Sequence, residues 1–223
     1  MQVMCYGCLV PRKNYDMYCA VARALEVLGE RWTLLVVREL MTGPKRFADL
    51  QSGLPGIATN ILTERLRTLV DEGVVERRTL PRPAVTQVYE LTDRGRELKP
   101  VLLALAGWGA PKLGLPREGE QFRLAWLMIA LDRSYDPAGA PDPVTVTLNV
   151  GDERLSIRAH GKSHWVTDEI HEGADLVVQG STATFLGWAT GSLDEREALA
   201  AGLTVTKGVG GLRALRRLYP VPG

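Results

Sequence analysis

The stretch Thr59–Leu69, "TNILTERLRTL", decides how the first half of this chain folds. Leu62, Leu66 and Leu69 recur at i, i+4 and i+7 and share one face of an α-helix, while Asn60, Thr63, Glu64 and Arg67 share the other. The leucine stripe predicts burial against a small core. The opposite face carries an amide, hydroxyls and a guanidinium, groups able to hydrogen-bond base edges and phosphates. The pattern stops at Gly73, a helix-ending residue.

Working outward, "YCAVARALEVLG" (18–29) and "ERWTLLVVRELMTGPKR" (30–46) each carry a helical apolar stripe, the second through Trp32, Leu35, Val36 and Leu40 until Gly43-Pro44 stops it. "RFADLQSGLPG" (46–56) predicts a short helix ended by Gly53 and Pro55. After the opening stretch, "VVERRTL" (74–80) and "TQVYELT" (86–92) are rich in β-formers around the proline-bearing "PRPAV" (81–85), which predicts a hairpin. Thr92 suits an N-cap for "DRGRELKPVLLALAGWG" (93–109), expected as one helix kinked at Pro100.

Four helices, a hairpin and a helix make the winged helix-turn-helix order. In that arrangement the third helix crosses the DNA backbone and the fourth enters the major groove. The expected DNA-facing residues are Thr59, Asn60, Thr63 and Arg67, flanked by Arg65 and Glu64. Lys45 and Arg46, ahead of the third helix, suit phosphates; Arg77, Arg78 and Arg82 of the hairpin suit the adjacent backbone or minor groove. Asn pairs bidentately with adenine and Arg with guanine, and Thr meets a thymine methyl or a phosphate. The alternative for each residue alone is a solvated polar face.

Residues 18–109 resemble the HxlR family of bacterial transcriptional regulators. The resemblance rests on Cys19, "G-x-x-W-T-L-L" (29–35), "R-E-L" (38–40), "G-P-x-R-F" (43–47), "L-P-G-I" (54–57), "L-x-x-R-L-x-x-L" (62–69), "E-G-V-V-x-R" (72–77) and "Y-x-L-T-x-x-G" (89–95). It implies a winged-helix homodimer on an inverted repeat in double-stranded DNA, with the dimer made by helices at 18–28 and 93–109. Leu98, Val101, Leu102, Leu105 and Trp108 offer more apolar surface than packing on one small domain requires. The resemblance also makes Cys19 a candidate sensor of thiol-reactive electrophiles, although a free cysteine also serves as a small buried hydrophobe.

The totals fit this class. The 223 residues are 45% hydrophobic and 24% charged, enough for packed cores. Net charge is +1, but residues 1–110 carry 15 Lys+Arg against 12 Asp+Glu, whereas residues 111–223 carry 12 against 14, so the positive half holds the opening helix. No apolar run reaches the roughly 18–20 residues of a membrane span, and the first residues lack the apolar core of a secretory signal; a cytoplasmic location is the expectation. Cys5, Cys8 and Cys19 are an odd set and suggest no disulfide framework. Cys5 and Cys8 form a C-x-x-C pair, but a structural zinc site takes four ligands and the first half holds no histidine. No metal and no cofactor is expected. The enzyme motifs G-x-S-x-G, P-loop and H-E-x-x-H are absent, and "GVGG" (208–211) reads as a turn.

The composition shifts at "APKLGLPREGE" (110–120). The expected division is an N-terminal extension (1–17), the DNA-binding and dimerisation domain (18–110), a linker (111–118) and a second domain (119–223). There, "FRLAWLMIAL" (122–131) predicts a buried helix, "VTVTLNV" (144–150) and "RLSIRAH" (154–160) alternate as strands around Gly151-Asp152, and "HWVTDEI" and "ADLVVQG" are further strands. "STATFLGWATG" predicts a helix capped by Ser181, "GLTVTKG" a last strand and "GLRALRRLY" a last helix. The class is α+β, a mainly antiparallel sheet with helices on one face.

Residues 119–220 resemble, more weakly, the sterol-carrier-protein type 2 fold, on the element order and on "ADLVVQGSTATFLGWATG" (174–191) and "ALAAGLTVTKG" (198–208). That resemblance implies a site for a hydrophobic or amphipathic small molecule. Phe122, Trp126, Ile129, Trp165, Phe185 and Trp188 are the candidate lining, with core filling as the alternative for each. His160, His164 and His171 lack metal-ligand spacing and are expected at exposed strand or loop positions. The reading is a DNA-binding regulator with a possible effector domain. The alternatives are a thiol-based sensor acting through Cys19 and a lipid-like carrier with an accessory winged helix.

Overall fold

The computed structural model describes residues 14–80, 85–113, 117, 119–168, 171, 173–208 and 210–220. The first half contains α1 (Ala20–Leu28), α2 (Thr33–Leu40), α3 (Phe47–Gly53) and α4 (Thr59–Asp71), a hairpin of β1 (Val75–Leu80) and β2 (Thr86–Leu91), then α5 (Asp93–Arg96) and α6 (Lys99–Gly109). The order is the expected one except that the last helix is two. Pro100 lies in the first turn of α6, where its missing N–H costs nothing and its fixed φ suits a helix start. The chain therefore breaks before the proline instead of kinking at it.

α4 is held by the leucines that define its periodicity. Leu62 and Leu69 are fully buried and Leu66 nearly so, against Val36, Val37, Leu40, Leu50 and Leu54. Each contributes about 1.5–3 kcal/mol of burial. The α3–α4 turn passes through Gly56 at φ +85°, a left-handed conformation that favours glycine. Across the hairpin, Lys45 N–H donates to Tyr89 O at 2.9 Å and Tyr89 N–H to Lys45 O at 2.8 Å, which fixes the α2–α3 connection to β2. Thr92 caps α5: its hydroxyl accepts from Gly95 N–H at 3.1 Å and donates to Gly73 O at 2.6 Å.

The second half opens with a 3₁₀ turn at Leu124–Trp126 leading into α7 (Leu127–Ser134), shorter than the expected helix. It continues with β3 (Val144–Val150), β4 (Glu153–His160), β5 (Ser163–Thr167), β6 (Leu176–Gly180), α8 (Thr182–Ala189), α9 (Glu195–Ala200), β7 (Thr204–Lys207) and α10 (Gly211–Leu218). The sheet order is β5-β4-β3-β6-β7. Every pair is antiparallel except β3–β6, so the α+β, mainly antiparallel class holds. Strand alternation places Val146, Leu148 and Val150 with Leu155, Ile157 and Val178 in the core, joined by Leu212, Leu215 and Leu218 of α10. Ser181 caps α8 by accepting from Thr184 N–H. α9, absent from the elements expected above, carries a capping box between Asp194 and Glu197, whose local sequence signal is D-x-x-E.

Polar contacts tie the halves together. Trp126 Nε1–H donates to Glu39 at 2.8 Å, Thr167 Oγ1–H to Thr42 O at 3.0 Å and Arg133 to Leu103 O at 3.1 Å. Lys45 pairs with Asp168, and Lys99 with Asp132 at 3.0 Å. No helix among the described residues is long and apolar enough to cross a membrane.

Candidate nucleic-acid interface

The wet face of α4 is built by its buried one. With the three leucines fixed inward, Thr59, Asn60, Thr63 and Arg67 are exposed. Gln51 of α3 donates to Thr59 Oγ1 at 2.8 Å, which ties the two helices across their turn. Thr63 Oγ1–H bonds back to Thr59 O at 2.8 Å from an exposed position. Arg67 is 56% exposed and pairs with Asp71 at 3.5 Å, one turn along. Arg46 is exposed beside the start of α3, where Asp49 accepts from its backbone N–H. On the hairpin, Arg77 stacks over the Tyr89 ring at 5.5 Å and Arg78 pairs with Glu90 at 3.3 Å; both stay exposed.

Two expected contacts are not on this surface. Lys45 is buried and its ammonium is held by Asp168. The Arg65 side chain is 12% exposed and turned to Glu30 at 3.3 Å, with Glu64 at 3.8 Å. The cause is the same for both: a carboxylate distant in sequence satisfies the cation inside the fold, so neither is presented to a phosphate. Arg82 lies outside the described residues.

Comparison with known proteins identifies the family of the first half. Residues 27–115 match the model of the HxlR-like helix-turn-helix family. The chain is 38% identical over 86 residues to the uncharacterized HTH-type transcriptional regulator YvaP of Bacillus subtilis, covering 39% of this chain and 80% of that protein. It is 39% identical over 85 residues to the HTH-type transcriptional regulator YodB of Bacillus subtilis, 38% of this chain and 76% of that one. The solved structure of reduced YodB aligns with 45% of this chain and all of its own, at 34% identity and a TM-score of 0.39. The chain belongs to the HxlR-like helix-turn-helix family. It is a transcriptional regulator of the HxlR type.

The HxlR-like match ends at residue 115, and the second half of this regulator extends beyond it. The six aromatic and aliphatic residues expected to line one pocket there are not brought together. Phe185 and Trp188 are buried and packed on each other, ring centroids 6.0 Å apart. Ile129 is buried in the core and Phe122 is half-buried. Trp165 is 61% exposed, because strand alternation on β5 sends Val166 inward and Trp165 outward. Trp126 faces the helix-turn-helix half, its ring under the Arg38 guanidinium at 4.6 Å.

Among the histidines, His160 is exposed and His171 accompanies Arg158 at 2.9 Å. His164 departs from its expected exposed position. Nδ1 lies 2.7 Å from Asp132 and Nε2 lies 2.7 Å from the Tyr219 hydroxyl, with Tyr135 stacked at 4.3 Å. A ring that donates from Nδ1 to the carboxylate accepts at Nε2 from Tyr219 O–H. Burial, with the nearby Asp132 and Tyr135 charges, pushes the Tyr219 phenol well above its usual range. Cys19 is exposed and stands at the N-cap of α1, one position before the helix begins rather than inside its first turn. Cys5 and Cys8 lie outside the described residues. No metal-ligating cluster occurs among the described residues.

A cleft between the halves has no signal in the local sequence pattern. It measures about 270 Å³ and is lined by Trp32, Leu35, Arg38, Leu54, Pro55 and Trp126, together with Gly119 and Gln121. Trp32 sits there with φ +79°, in the left-handed region. A stripe count puts Trp32 and Leu35 on a buried face and cannot show that the second half stops short of covering them.

Proposed function

We propose that this protein is a homodimer that recognises an inverted repeat in double-stranded DNA, with α4 in the major groove and the β1–β2 hairpin as a wing on the flanking backbone. The observation that carries this is the exposed set Thr59, Asn60, Thr63 and Arg67 on a helix locked by Leu62, Leu66 and Leu69. Arg46, Arg77 and Arg78 supply sequence-independent phosphate attraction. Lys45 and Arg65 are removed from the interface and act inside the fold. The domain division of 18–110 for DNA binding and dimerisation, 111–118 as linker and 119–223 as the second domain belongs to this proposal.

Dimerisation is supported by apolar surface on the two helices expected to pair. Tyr18, Val21 and Leu25 at α1 and Val101, Leu105 and Trp108 on α6 are all exposed, Trp108 at 73%. Such a patch on a monomer marks an interaction site, and two recognition helices one DNA turn apart multiply the contacts. The second half supports a sensing role by its several direct bonds to the helix-turn-helix half. Selecting bound duplexes from a random pool tests the reading. A palindromic consensus with half-sites about 10 base pairs apart is expected; recovery of unselected sequence would defeat it.

One observation favours a second mode of control. Cys19 is exposed at the start of α1, beside the apolar patch. Solved relatives include a quinone-bound YodB and the redox regulator HypR in an oxidized form. Under this reading, alkylation of Cys19 changes dimer geometry and DNA affinity, and Cys19→Ser abolishes the response to an alkylating agent.

A further inference from the structure

The cleft between the two halves has walls of a definite chemistry. Two indoles, Trp32 and Trp126, face it with the side chains of Leu35, Leu54 and Pro55. Two polar side chains are on the lining, Arg38 and Gln121, and the Arg38 guanidinium carbon lies 4.6 Å from the Trp126 ring centroid. Arg38 Nε and Nη2 donate to Glu39 at 3.2 and 2.7 Å. Among the described residues these bonds use Nε and Nη2 and leave Nη1 over. Glu39 also accepts from Trp126 Nε1–H at 2.8 Å, so the charges of Arg38 and Glu39 are already matched. An anionic ligand would unbalance that pair at a desolvation cost, whereas a neutral acceptor simply takes the remaining donor. A volume of about 270 Å³ admits a molecule of one or two rings, below the size of most ligand sites.

A second observation points to the same place. Trp32 holds φ at +79°, a conformation a bulky residue rarely adopts, and so the indole is presented to the cleft at a conformational cost. Strain of this kind concentrates at ligand clamps and switches. Leu54 and Pro55 are moreover part of the α3–α4 turn, four residues before the recognition face starts at Thr59. Trp126 belongs to the second half. A molecule filling the cleft touches both the turn that aims α4 and the segment that braces it.

We propose that this cleft binds a flat, neutral aromatic molecule of one or two rings bearing an oxygen acceptor, and that its occupancy changes DNA affinity by favouring one placement of the α3–α4 turn. The regulatory half of this proposal rests on the DNA-binding reading; the binding half does not.

The test uses the full chain labelled with ¹⁵N, following the indole N–H signals of its five tryptophans. The probes are 1-naphthol, its charged analogue 1-naphthoate, and decanoate as a flexible lipid-like chain. Trp32→Phe and Trp126→Phe assign the two cleft signals. The expected result is a saturable shift of those two signals with 1-naphthol, at least ten-fold weaker binding of 1-naphthoate, and none of decanoate. Gln121→Trp, at an exposed position on the cleft, is expected to weaken 1-naphthol binding at least ten-fold while the other indole signals stay in place. Shifts confined to Trp165 or Trp188, tighter binding of decanoate, no saturable binding, or equal binding by Gln121→Trp would each overturn the site. Saturating 1-naphthol is expected to change operator affinity at least three-fold. Unchanged affinity overturns the coupling. A protein that binds 1-naphthol here but binds no DNA leaves the site standing and removes the regulator reading beneath it.

Discussion

Arg67 holds its guanidinium 56% exposed on α4, with Asp71 3.5 Å away and 51% exposed. An exposed pair of this kind contributes about 0–1 kcal/mol to stability, so Arg67→Ala is expected to leave the melting temperature nearly unchanged. On its operator the same substitution is expected to cost about 1–3 kcal/mol and to relax preference at one base position, read by fluorescence anisotropy on a set of single-base variants. Lys45 presents the reverse case. Its partner Asp168 lies in the second half, and the lysine is buried. Lys45→Met is expected to lower stability by about 1–3 kcal/mol and to leave the salt dependence of DNA binding unaltered. A loss of one unit in the salt slope would instead return Lys45 to the phosphate-contacting set.

At the scale of elements, the α4 helix and the β1–β2 hairpin follow from local signals, because their periodicities describe faces that really are buried or exposed. The junction after β2 is set by close approach. A Cβ added at Gly95 would stand 2.2 Å from the Val74 carbonyl oxygen. Gly95→Ala is therefore expected to destabilise the protein by about 1–3 kcal/mol through backbone displacement, measured by denaturant unfolding. On α1 and α6 the exposed apolar residues predict association. Leu105→Glu combined with Trp108→Glu is expected to give a monomer by light scattering, with operator binding greatly weakened; a variant that stays dimeric would move the interface elsewhere. What local pattern did not show at this scale is direction beyond the element. The arginine count around α4 was readable, but the inward turn of Arg65 depends on Glu30, 35 residues away. Similarly, the aromatic content of the second half was plain, while its dispersal to core, cleft and edge strand depends on strand register and on packing against the first half.

Across the whole molecule, the His164 cluster joins α7, β5 and α10, and through Asp132 it reaches Lys99 at the start of α6. Its proton linkage has a definite sign. Burial raises the Tyr219 phenol above its usual value near 10. Above pH 10 the unfolded chain releases that proton while the folded chain keeps it, so stability falls as pH rises, by about 1.4 kcal/mol per pH unit. Denaturant unfolding between pH 9 and 11 is expected to show this slope in the wild type and a flatter one in Tyr219→Phe; identical slopes would contradict it. No tryptophan or histidine motif announced this cluster, because its members lie up to 87 residues apart in the chain. The helix-turn-helix half was legible down to the exposed polar side of α4, since each of its elements is short, local and patterned. The relation between the halves was not, since it is made of single long-range contacts.

The exposed face of α4 is expected to read base sequence. Anisotropy titrations of wild type and Asn60→Ala on the selected palindrome and on a scrambled duplex, at several salt concentrations, test it most directly. Wild type is expected to prefer the palindrome at least 10³-fold, within the usual range for specific binders, and Asn60→Ala to lose about 1–3 kcal/mol on the palindrome alone with an unchanged salt slope. Equal affinity of wild type for both duplexes, or equal losses by Asn60→Ala on both, would contradict it.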